Sequence, residues 1–478
     1  MQQRKQQLLR RHRQRKRIVL LLGLPLLFSS ALWFWWLPLP LLLAAWVLHE
    51  AYFADHLFYA PGDDYDYRFA GAGVSVSITA DGRLGLAQLE GIAEADTLLL
   101  EVTIKADWRG RWVDPRVLID VAQPHDQQTF ERGCAGRRVL NLSGLGPALA
   151  AGQVRLRGRY CRLAGQATLH VLRNPDYACQ RMLILAPHAD DAELAAFAQY
   201  QRGAEVTIAT LTVGELEAEP YQQLGLSAIE AARLKARLRS WDSRHAASWG
   251  GVPAERCFQL GYFCMQLPAM RAEPLLGHPS KVAQTGDIRP LRKGNALPLP
   301  GDVDGQPSWF NLLGDLRGLI EHYQPQVIVT PHPQLDPHAD HQATTAALYE
   351  ALAVSHHQPQ TLLYYANHLH DNDRWPMGEQ GEGVALPPAL EPLTVAGVWS
   401  PSLSGAAQID KSMALGLMHD LQTPLPGKKK LRRVLQHYLA GRRWPRWGVD
   451  EFYRKAIRRH ELFFVQPWPI KDQAQRPE

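Results

Sequence analysis

Apolar and polar positions divide the chain into three parts. Residues 18–48 form an uncharged, mainly apolar stretch. Between residues 65 and 173, short runs alternate apolar and polar positions between Asp and Gly turns, a pattern typical of strands. After residue 175, continuous apolar runs alternate with segments of helical period. The sequence therefore predicts an N-terminal membrane anchor, an all-β domain and an α/β domain.

The all-β domain is predicted to cover residues 61–175. Its alternating runs, such as GVSVSITADGRLGL and TLLLEVTIKADW, follow one another closely, which favours a β-sandwich of about eight strands. No pattern in this region indicates catalysis. A sandwich of this kind serves either as a carbohydrate-binding module or as a spacer, and the sequence leaves both open.

The α/β domain is predicted to cover residues 176–478. The buried-type strands RMLILAP, AEVTIATLTVG and QVIVTPHP alternate with helices, including one at residues 227–249 and one at residues 309–323, while residues 266–306 are irregular. This alternation indicates a mostly parallel sheet covered on both faces. In such sheets, ligands bind beyond the carboxyl ends of the strands.

The charge of the chain is concentrated at its N-terminus. The net charge is +5, but residues 1–17 carry eight cations and no acid, so the remainder is net −3. That remainder has no general attraction for nucleic acid. The eight cations are Arg4, Lys5, Arg10, Arg11, Arg13, Arg15, Lys16 and Arg17.

Residues 18–60 follow the basic run and are predicted to anchor the protein in a bacterial inner membrane. Residues 18–36 are long enough to cross the hydrocarbon and end in an aromatic cluster, Trp33 to Trp36. A single crossing with the basic end inside would place the body in the periplasm. The alternative is a hairpin with a second, weaker span at residues 39–59, which would return the body to the cytoplasm. A buried core helix would leave the basic flank unexplained.

The five cysteines lack metal-binding spacing, which argues against a structural zinc site among them. Cys134 and Cys161 both fall in the predicted β domain. They form either a disulfide outside the cytoplasm or two unrelated buried thiols.

Candidate chemistry follows two of the predicted strands. The first cluster, ILAPHADDAE, supplies His188, Asp190 and Asp191. Histidine with carboxylate is a common zinc-ligand combination, although either aspartate can instead cap the following helix. The second cluster, VTPHPQLDPHADHQAT, has three histidines and two aspartates within ten residues; its alternative is a surface turn. Its members are His332, Asp336, His338, Asp340 and His341. Because both clusters end strands of one sheet, they can converge on one catalytic ion.

These motifs resemble the PIG-L/LmbE family of zinc-dependent N-deacetylases of amino sugars. PHADD and the later HADH carry the resemblance, which covers about residues 181–422 and implies a Rossmann-like, mostly parallel sheet. Further matches are Thr212 with Gly214-Glu215, Arg239-x-x-Asp242, and KSMALGLMHDLQ. The β domain and the anchor lie outside it.

The resemblance also implies residue roles. One Zn²⁺ per chain would be bound by His188, Asp191 and His341, with iron as the alternative metal. Asp190 would be the general base, and His338 would protonate the leaving amine or stabilise the oxyanion. Asp340 would orient and charge His338. Glu215 and Arg239 are candidate substrate contacts.

Departures from the family pattern concern selectivity for the sugar. Ala189 and Ala192 replace the second proline and the glutamate of the motif, with Glu193 adjacent, and Phe263-Cys264 stand where an aspartate is usual. The metal and proton-transfer positions are intact.

A basic stretch lies at residues 422–450. It has eight Lys/Arg and no acid between Gln422 and Asp450, and it contains Trp444 and Trp447. It either contacts anionic lipid or a phosphorylated glycolipid, or is a solvated linker before a helix predicted at residues 450–464. The eight cations are Lys428, Lys429, Lys430, Arg432, Arg433, Arg442, Arg443 and Arg446.

The sequence thus predicts a membrane-anchored zinc hydrolase that deacetylates an amino sugar on a membrane-linked glycan, such as lipopolysaccharide core. The alternative is a non-catalytic, metal-retaining glycan-binding or scaffold protein of envelope assembly. A glycosyltransferase is disfavoured, because the chain lacks a nucleotide-phosphate loop and an Asp-x-Asp site.

Overall fold

The computed structural model describes residues 2–54, 61–85, 91–121, 123–369, 372, 374–445 and 447–469. The end of the predicted anchor at residues 55–60, together with Arg446, lies outside the described residues.

Two helices begin the chain, α1 (Gln2–Trp33) and α2 (Pro38–Tyr52). Among the described residues, one helix is long and apolar enough to cross a bilayer, over Leu9–Trp33; a signal sequence meets the same criterion. Lys16 Nζ lies 3.3 Å from His49 Nε2, so α2 runs back alongside α1. At 15 residues, α2 is shorter than the ~20 residues that span ~30 Å of hydrocarbon.

The β region has two antiparallel sheets in the described part of the chain, with strand orders β3-β2-β9-β4-β7 and β6-β5-β8. Val76 and Leu100 from the first sheet and Val117 and Leu156 from the second belong to one buried apolar cluster. The elements are β1 (Tyr67–Phe69), β2 (Val74–Ile78), β3 (Leu84–Gly85), β4 (Thr97–Ala106), β5 (Arg116–Val121), β6 (Gln123–Thr129), β7 (Ala135–Asn141), α3 (Gly146–Ala150), β8 (Val154–Arg159) and β9 (Cys161–Leu172).

The two cysteines of this region are free thiols. Cys134 and Cys161 are both buried and are not joined as a disulfide. Burial raises the pKa of the Cys161 thiol to about 11 and that of Cys134 further. Both therefore stay protonated at neutral pH, which agrees with the alternative of two buried thiols.

The remaining elements form a mixed α/β arrangement. They are β10 (Met182–Ala186), α4 (Asp191–Arg202), β11 (Val206–Thr212), α5 (Glu219–Gln222), α6 (Ala228–His245), β12 (Cys257–Tyr262), α7 (Leu267–Ala272), α8 (Arg289–Arg292), α9 (Trp309–Tyr323), β13 (Val327–Pro331), α10 (Ala339–Val354), β14 (Thr361–Tyr365), β15 (Leu393–Val395), β16 (Gly397–Trp399), α11 (Gly405–Gly416), α12 (Gly427–Ala440), α13 (Glu451–Ala456) and β17 (Phe463–Pro467).

Within the described residues, the largest sheet has the order β12-β11-β10-β13-β14-β17-β16. Strands β10 to β14 pair in parallel, and β16 and β17 pair antiparallel. Leu183 and Leu185 of β10 enter one apolar core, and Met182 and Ile184 enter another, so both faces of the sheet are buried. The strand order reverses between β10 and β13, and a crevice forms at such a point beyond the carboxyl ends.

The C-terminal part differs from the sequence prediction. The predicted helix at residues 450–464 ends at Ala456, because Phe463–Pro467 form β17 between β14 and β16. The predicted linker contains the helix α12, which contacts α2 through the Arg432–Glu50 ion pair at 2.6 Å.

Candidate functional site

The loop after β10 carries the first cluster. Three residues after His188, helix α4 begins at Asp191, and the Asp191 Oδ2 atom accepts a hydrogen bond from the His188 backbone nitrogen at 2.9 Å. Asp190 occupies the N-cap position with φ 110°, and its side chain makes no capping hydrogen bond. A left-handed, non-glycine residue next to ligand-type side chains is the kind of backbone strain found at functional sites. Capping therefore does not account for these aspartates.

The second cluster lies at the start of α10, beyond the end of the neighbouring strand β13. His338 is the N-cap of α10, and its Nδ1 accepts a hydrogen bond from the Asp340 backbone nitrogen at 3.2 Å. This contact leaves the hydrogen of a neutral His338 ring on Nε2. The ring centroid of His338 lies 4.9 Å from those of both His188 and His341.

Three side-chain atoms from the two clusters form a small triangle. His188 Nδ1 lies 3.2 Å from Asp191 Oδ2 and 3.3 Å from His341 Nε2, and the last two atoms are 3.2 Å apart. We call these three atoms the donor triangle. Ligands that share a tetrahedral zinc ion with bonds of about 2.0–2.1 Å are separated by about 3.3 Å. The donor set and its spacing therefore fit one such ion.

Each histidine of the donor triangle has a carboxylate on its other ring nitrogen. His341 Nδ1 lies 2.9 Å from Asp336 Oδ2, and His188 Nε2 lies 3.2 Å from Asp340 Oδ2. Carboxylates in this position fix the orientation and the tautomer of metal-binding histidines. Asp340 Oδ1 is buried without a hydrogen-bond partner among the described residues.

The Asp340 carboxylate makes its hydrogen bonds on the side of His188. Its Oδ2 accepts from Met265 N at 2.7 Å and contacts His188, whereas only its backbone nitrogen contacts His338. The reason is that His338 caps the helix with its ring, while the Asp340 side chain reaches across to the loop after β12. The Asp340 carboxylate therefore contacts the ring of His188.

Glu215 and Arg239 are buried rather than open to a ligand. Glu215 accepts from Ser280 Oγ at 2.8 Å and from Cys264 N at 3.1 Å. Arg239 donates to the Ala189 carbonyl at 2.6 Å and lies 3.5 Å from Asp190 Oδ1. Both residues brace the loops around the site, and Arg239 holds the backbone and the carboxylate of the Asp190 loop.

Two site residues were missed in the sequence. Both follow β14, the next strand of the sheet: Asn367 Nδ2 donates to Asp191 Oδ1 at 2.7 Å, and the His368 ring lies 4.9 Å from that of His341. The segment NHLH after the apolar run TLLYY was the available signal. Several combinations of these side chains could hold a metal ion: His188–His338–His341, His188–Cys264–Asp340 and Asp191–His341–His368.

Burial and close charges shift the pKa values of the site. Burial raises the pKa of Asp190 to about 7 against the opposing effect of Arg239. Burial lowers the pKa of His341, but Asp191 and Asp336 outweigh it and raise the value to about 9. Burial and the neighbouring histidines lower the pKa of His338. The site thus combines a carboxyl group whose pKa is raised with an imidazole whose pKa is lowered.

The candidate His332 and the neighbouring Glu193 lie outside the donor triangle. His332 is buried between Tyr364 and Phe464, and burial lowers its pKa to about 3. Glu193 accepts from the Tyr200 hydroxyl at 3.2 Å. Both are parts of the packing around the site.

A comparison with known protein families finds a match that includes this site. Residues 183–352 match the family model PIG-L, described as GlcNAc-PI de-N-acetylase, and this range contains both clusters. No curated protein matches the chain.

Three solved structures are similar at low identity and low TM-score. The N,N'-diacetylchitobiose deacetylase from Pyrococcus horikoshii is 14% identical, with a TM-score of 0.34, and the match covers 63% of this chain and 91% of that one. The conserved protein TT1542 from Thermus thermophilus is 15% identical, with a TM-score of 0.29, covering 61% and 96%. GalB, the 4-carboxy-2-hydroxymuconate hydratase from Pseudomonas putida, is 13% identical, with a TM-score of 0.31, covering 54% and 84%.

Proposed function

We propose that this chain is a zinc-dependent hydrolase that removes the acetyl group from an N-acetylated amino sugar. The donor triangle is the observation that carries the proposal, since His188, Asp191 and His341 meet at tetrahedral spacing. The PIG-L match over residues 183–352 supports an N-deacetylase. When bound, zinc supplies Lewis acidity toward the amide carbonyl and activates water at neutral pH.

The protein's own side chains would move the protons. We assign the general-base role to Asp190, which adjoins Asp191 in the chain and whose Oδ1 lies 3.5 Å from Arg239; it would take a proton from the attacking water. His338 lies on the second cluster with its Nδ1 occupied by the Asp340 backbone. Its Nε2 hydrogen is therefore available as a hydrogen-bond donor to the developing oxyanion. The proton that Asp190 takes from the water is the one that passes to the leaving amine.

We further propose that the sugar belongs to a membrane-linked glycan, such as lipopolysaccharide core in the inner membrane of a Gram-negative bacterium. The apolar helix at Leu9–Trp33 and the β domain beside the catalytic domain support this proposal. The antiparallel packing of α1 and α2 supports the hairpin alternative for the anchor. A periplasmic body, which requires a single crossing, stays a prediction.

The experiment measures acetate release by the purified full chain from an N-acetylglucosaminyl glycolipid. The native chain should release acetate. In Asp190→Asn the rate should fall by about 10²–10⁴-fold while the metal stays bound. Glu193→Gln is the matched control, because this neighbouring carboxyl contacts Tyr200 outside the donor triangle.

Two outcomes would contradict parts of the proposal. Bound metal without acetate release from any N-acetylated sugar would instead support the scaffold alternative. Unchanged acetylation of core amino sugars after deletion of the gene would contradict the lipopolysaccharide substrate while leaving the reaction intact.

A further inference from the structure

The helix α12 presents its apolar side to solvent. Leu431, Val434 and Tyr438 recur at helical spacing and are 47%, 50% and 79% exposed. The opposite side packs on α2, where Gln436 Nε2 donates to the Glu50 carbonyl at 3.4 Å and Arg432 pairs with the Glu50 carboxylate. An amphipathic helix normally buries its apolar side against its own domain. In α12 the arrangement is reversed, which leaves an apolar face to be covered.

Basic residues accompany this apolar face. Lys428, Lys429 and Lys430 form the first turn of α12 and are exposed. This composition, with lysines beside an apolar stripe and a tyrosine at its edge, is typical of helices that lie in the headgroup region of a membrane. The charge is complementary to anionic lipid, to which each lysine near the surface contributes about fivefold in binding.

A second exposed segment lies beside the same end of α2. Trp108 and Trp112 flank the turn Arg109–Arg111 and are 69% and 54% exposed. The Trp112 ring lies edge-on to Tyr52 of α2 at 5.8 Å, and the Tyr52 hydroxyl donates to the Leu439 carbonyl of α12 at 2.6 Å. Tryptophan next to arginine is enriched where proteins meet the membrane–water interface.

We infer that α12, the end of α2 and the Trp108–Trp112 turn together form a surface that docks on the anionic leaflet entered by the N-terminal helices. Lys16 of α1 belongs to the same region, since it lies 3.3 Å from His49 near the end of α2. The occupant is a phospholipid bilayer, because the surface joins exposed apolar and aromatic side chains to basic ones and is continuous with the apolar helices. The inference rests on α1 and α2 entering a bilayer and not on the proposed reaction.

The test places a fluorophore on the apolar face of α12 in the full chain. Cys179 is the exposed cysteine in the described part of the chain, so the background variant is Cys179→Ser. A bimane label is attached through Tyr438→Cys, and the chain is reconstituted in phosphatidylcholine vesicles with about 30% phosphatidylglycerol, of which a part is brominated. Docking predicts strong quenching by the brominated lipid, because the face would lie about 5–10 Å into the headgroup boundary.

Two controls make the result specific. A label attached through Val303→Cys, which lies in the catalytic domain and is 86% exposed, should not be quenched. Reversing Lys428, Lys429 and Lys430 to Glu should lower the docked-to-undocked ratio by about 100-fold or more in anionic vesicles. The charge-matched triple Arg237→Glu, Lys281→Glu and Lys293→Glu should leave the quenching at position 438 unchanged.

The outcomes that would contradict the docking inference can be distinguished from a failure of the proposed deacetylation. No quenching at position 438 would overturn the inference, whether the label meets water or is covered by a second copy of the chain, since neither carries bromine. If position 438 fails to label, Val434→Cys provides the same measurement on the same face. Acetate release from a water-soluble substrate measures the proposed function separately.

Discussion

The donor triangle and the guanidinium of Arg458 are two buried polar groups whose surroundings differ. Arg458 lies just after α13, and its guanidinium donates to the carbonyls of Glu382, Met377 and Gly383 at 2.6–3.0 Å. In the donor triangle, by contrast, two imidazole nitrogens and a carboxylate oxygen lie within 3.3 Å of one another. Each of these three atoms is of a type that coordinates a divalent cation.

This difference separates a structural cluster from a candidate functional one. The carbonyls around Arg458 are satisfied by the protein itself, as buried polar groups must be in a stable core. The donor triangle instead brings three metal-ligand atoms to the spacing that a single divalent cation would bridge. Burial alone therefore does not identify the site; the convergence of three metal-ligand atoms does.

The largest effect is expected from His338→Asn. Asparagine can still cap α10, but it lacks the imidazole hydrogen, so kcat should fall by about 10²–10⁴ with metal content and stability unchanged. Stopped assays of acetate release and metal analysis check this. A native kcat in this variant would show that His338 has no direct role in the reaction.

Substitution of Arg458 should have the opposite effect and lower the stability of the fold rather than kcat. Arg458→Met leaves buried carbonyls without donors, so the free energy of unfolding should fall by about 3–5 kcal/mol, while the folded fraction keeps its metal. Denaturant unfolding measures this. Arg317→Met is the matched control, since that half-exposed pair with Glu321 contributes only about 0–1 kcal/mol. Loss of metal in folded Arg458→Met would contradict the comparison.

A pH effect should come from His460, which joins the β domain to the α/β region. Its Nε2 donates to the Ser143 carbonyl at 3.0 Å, and burial lowers its pKa to about 4. Because the folded pKa is below that of the unfolded chain, its contribution is present above about pH 6.5 and is lost as the pH falls toward 4. The loss amounts to about 3 kcal/mol.

The His460 effect is measured by unfolding the native chain and His460→Gln between about pH 4 and pH 7. The variant should lose stability less steeply below about pH 6.5. Equal slopes for the two proteins would show that His460 does not titrate as its surroundings require.

The smallest effect is expected at the two carboxylates that contact the proposed ligand histidines. Asp336→Asn keeps the shape of the side chain but weakens its interaction with His341 Nδ1, so the affinity for zinc should fall by about 10–100-fold. Competition with a chelator measures this. Asp340→Asn should behave similarly through His188, and an unchanged affinity in both variants would argue against these orienting roles.

The sequence was sufficient to find the strand ends that carry the site. His188, Asp191 and His341 follow continuous apolar runs, and the parallel order of β10 and β13 brings them together. His368 follows β14 by the same rule, but its shorter motif gave a weaker signal. The mixed α/β arrangement was also predictable from its alternating periods.

Other features depend on contacts that sequence patterns do not reveal. The direction of the Asp340 side chain is set by Met265 N, 75 positions away in the chain, and Arg239 is held by Asp420, 181 positions away. In α12, the run of lysines led to the prediction of a basic stretch without a helix, although Leu431 and Tyr438 recur at helical spacing. Long-range partners therefore decide which predicted residues act directly and which support others.

The metal content of the purified full chain tests the central claim most directly. After incubation with zinc and removal of excess metal, the native chain and Glu193→Gln should each hold one ion, whereas folded Asp191→Asn should hold about tenfold less or lower. Native-level zinc in Asp191→Asn, or none in the native chain, would contradict the proposal that these three residues hold a catalytic ion.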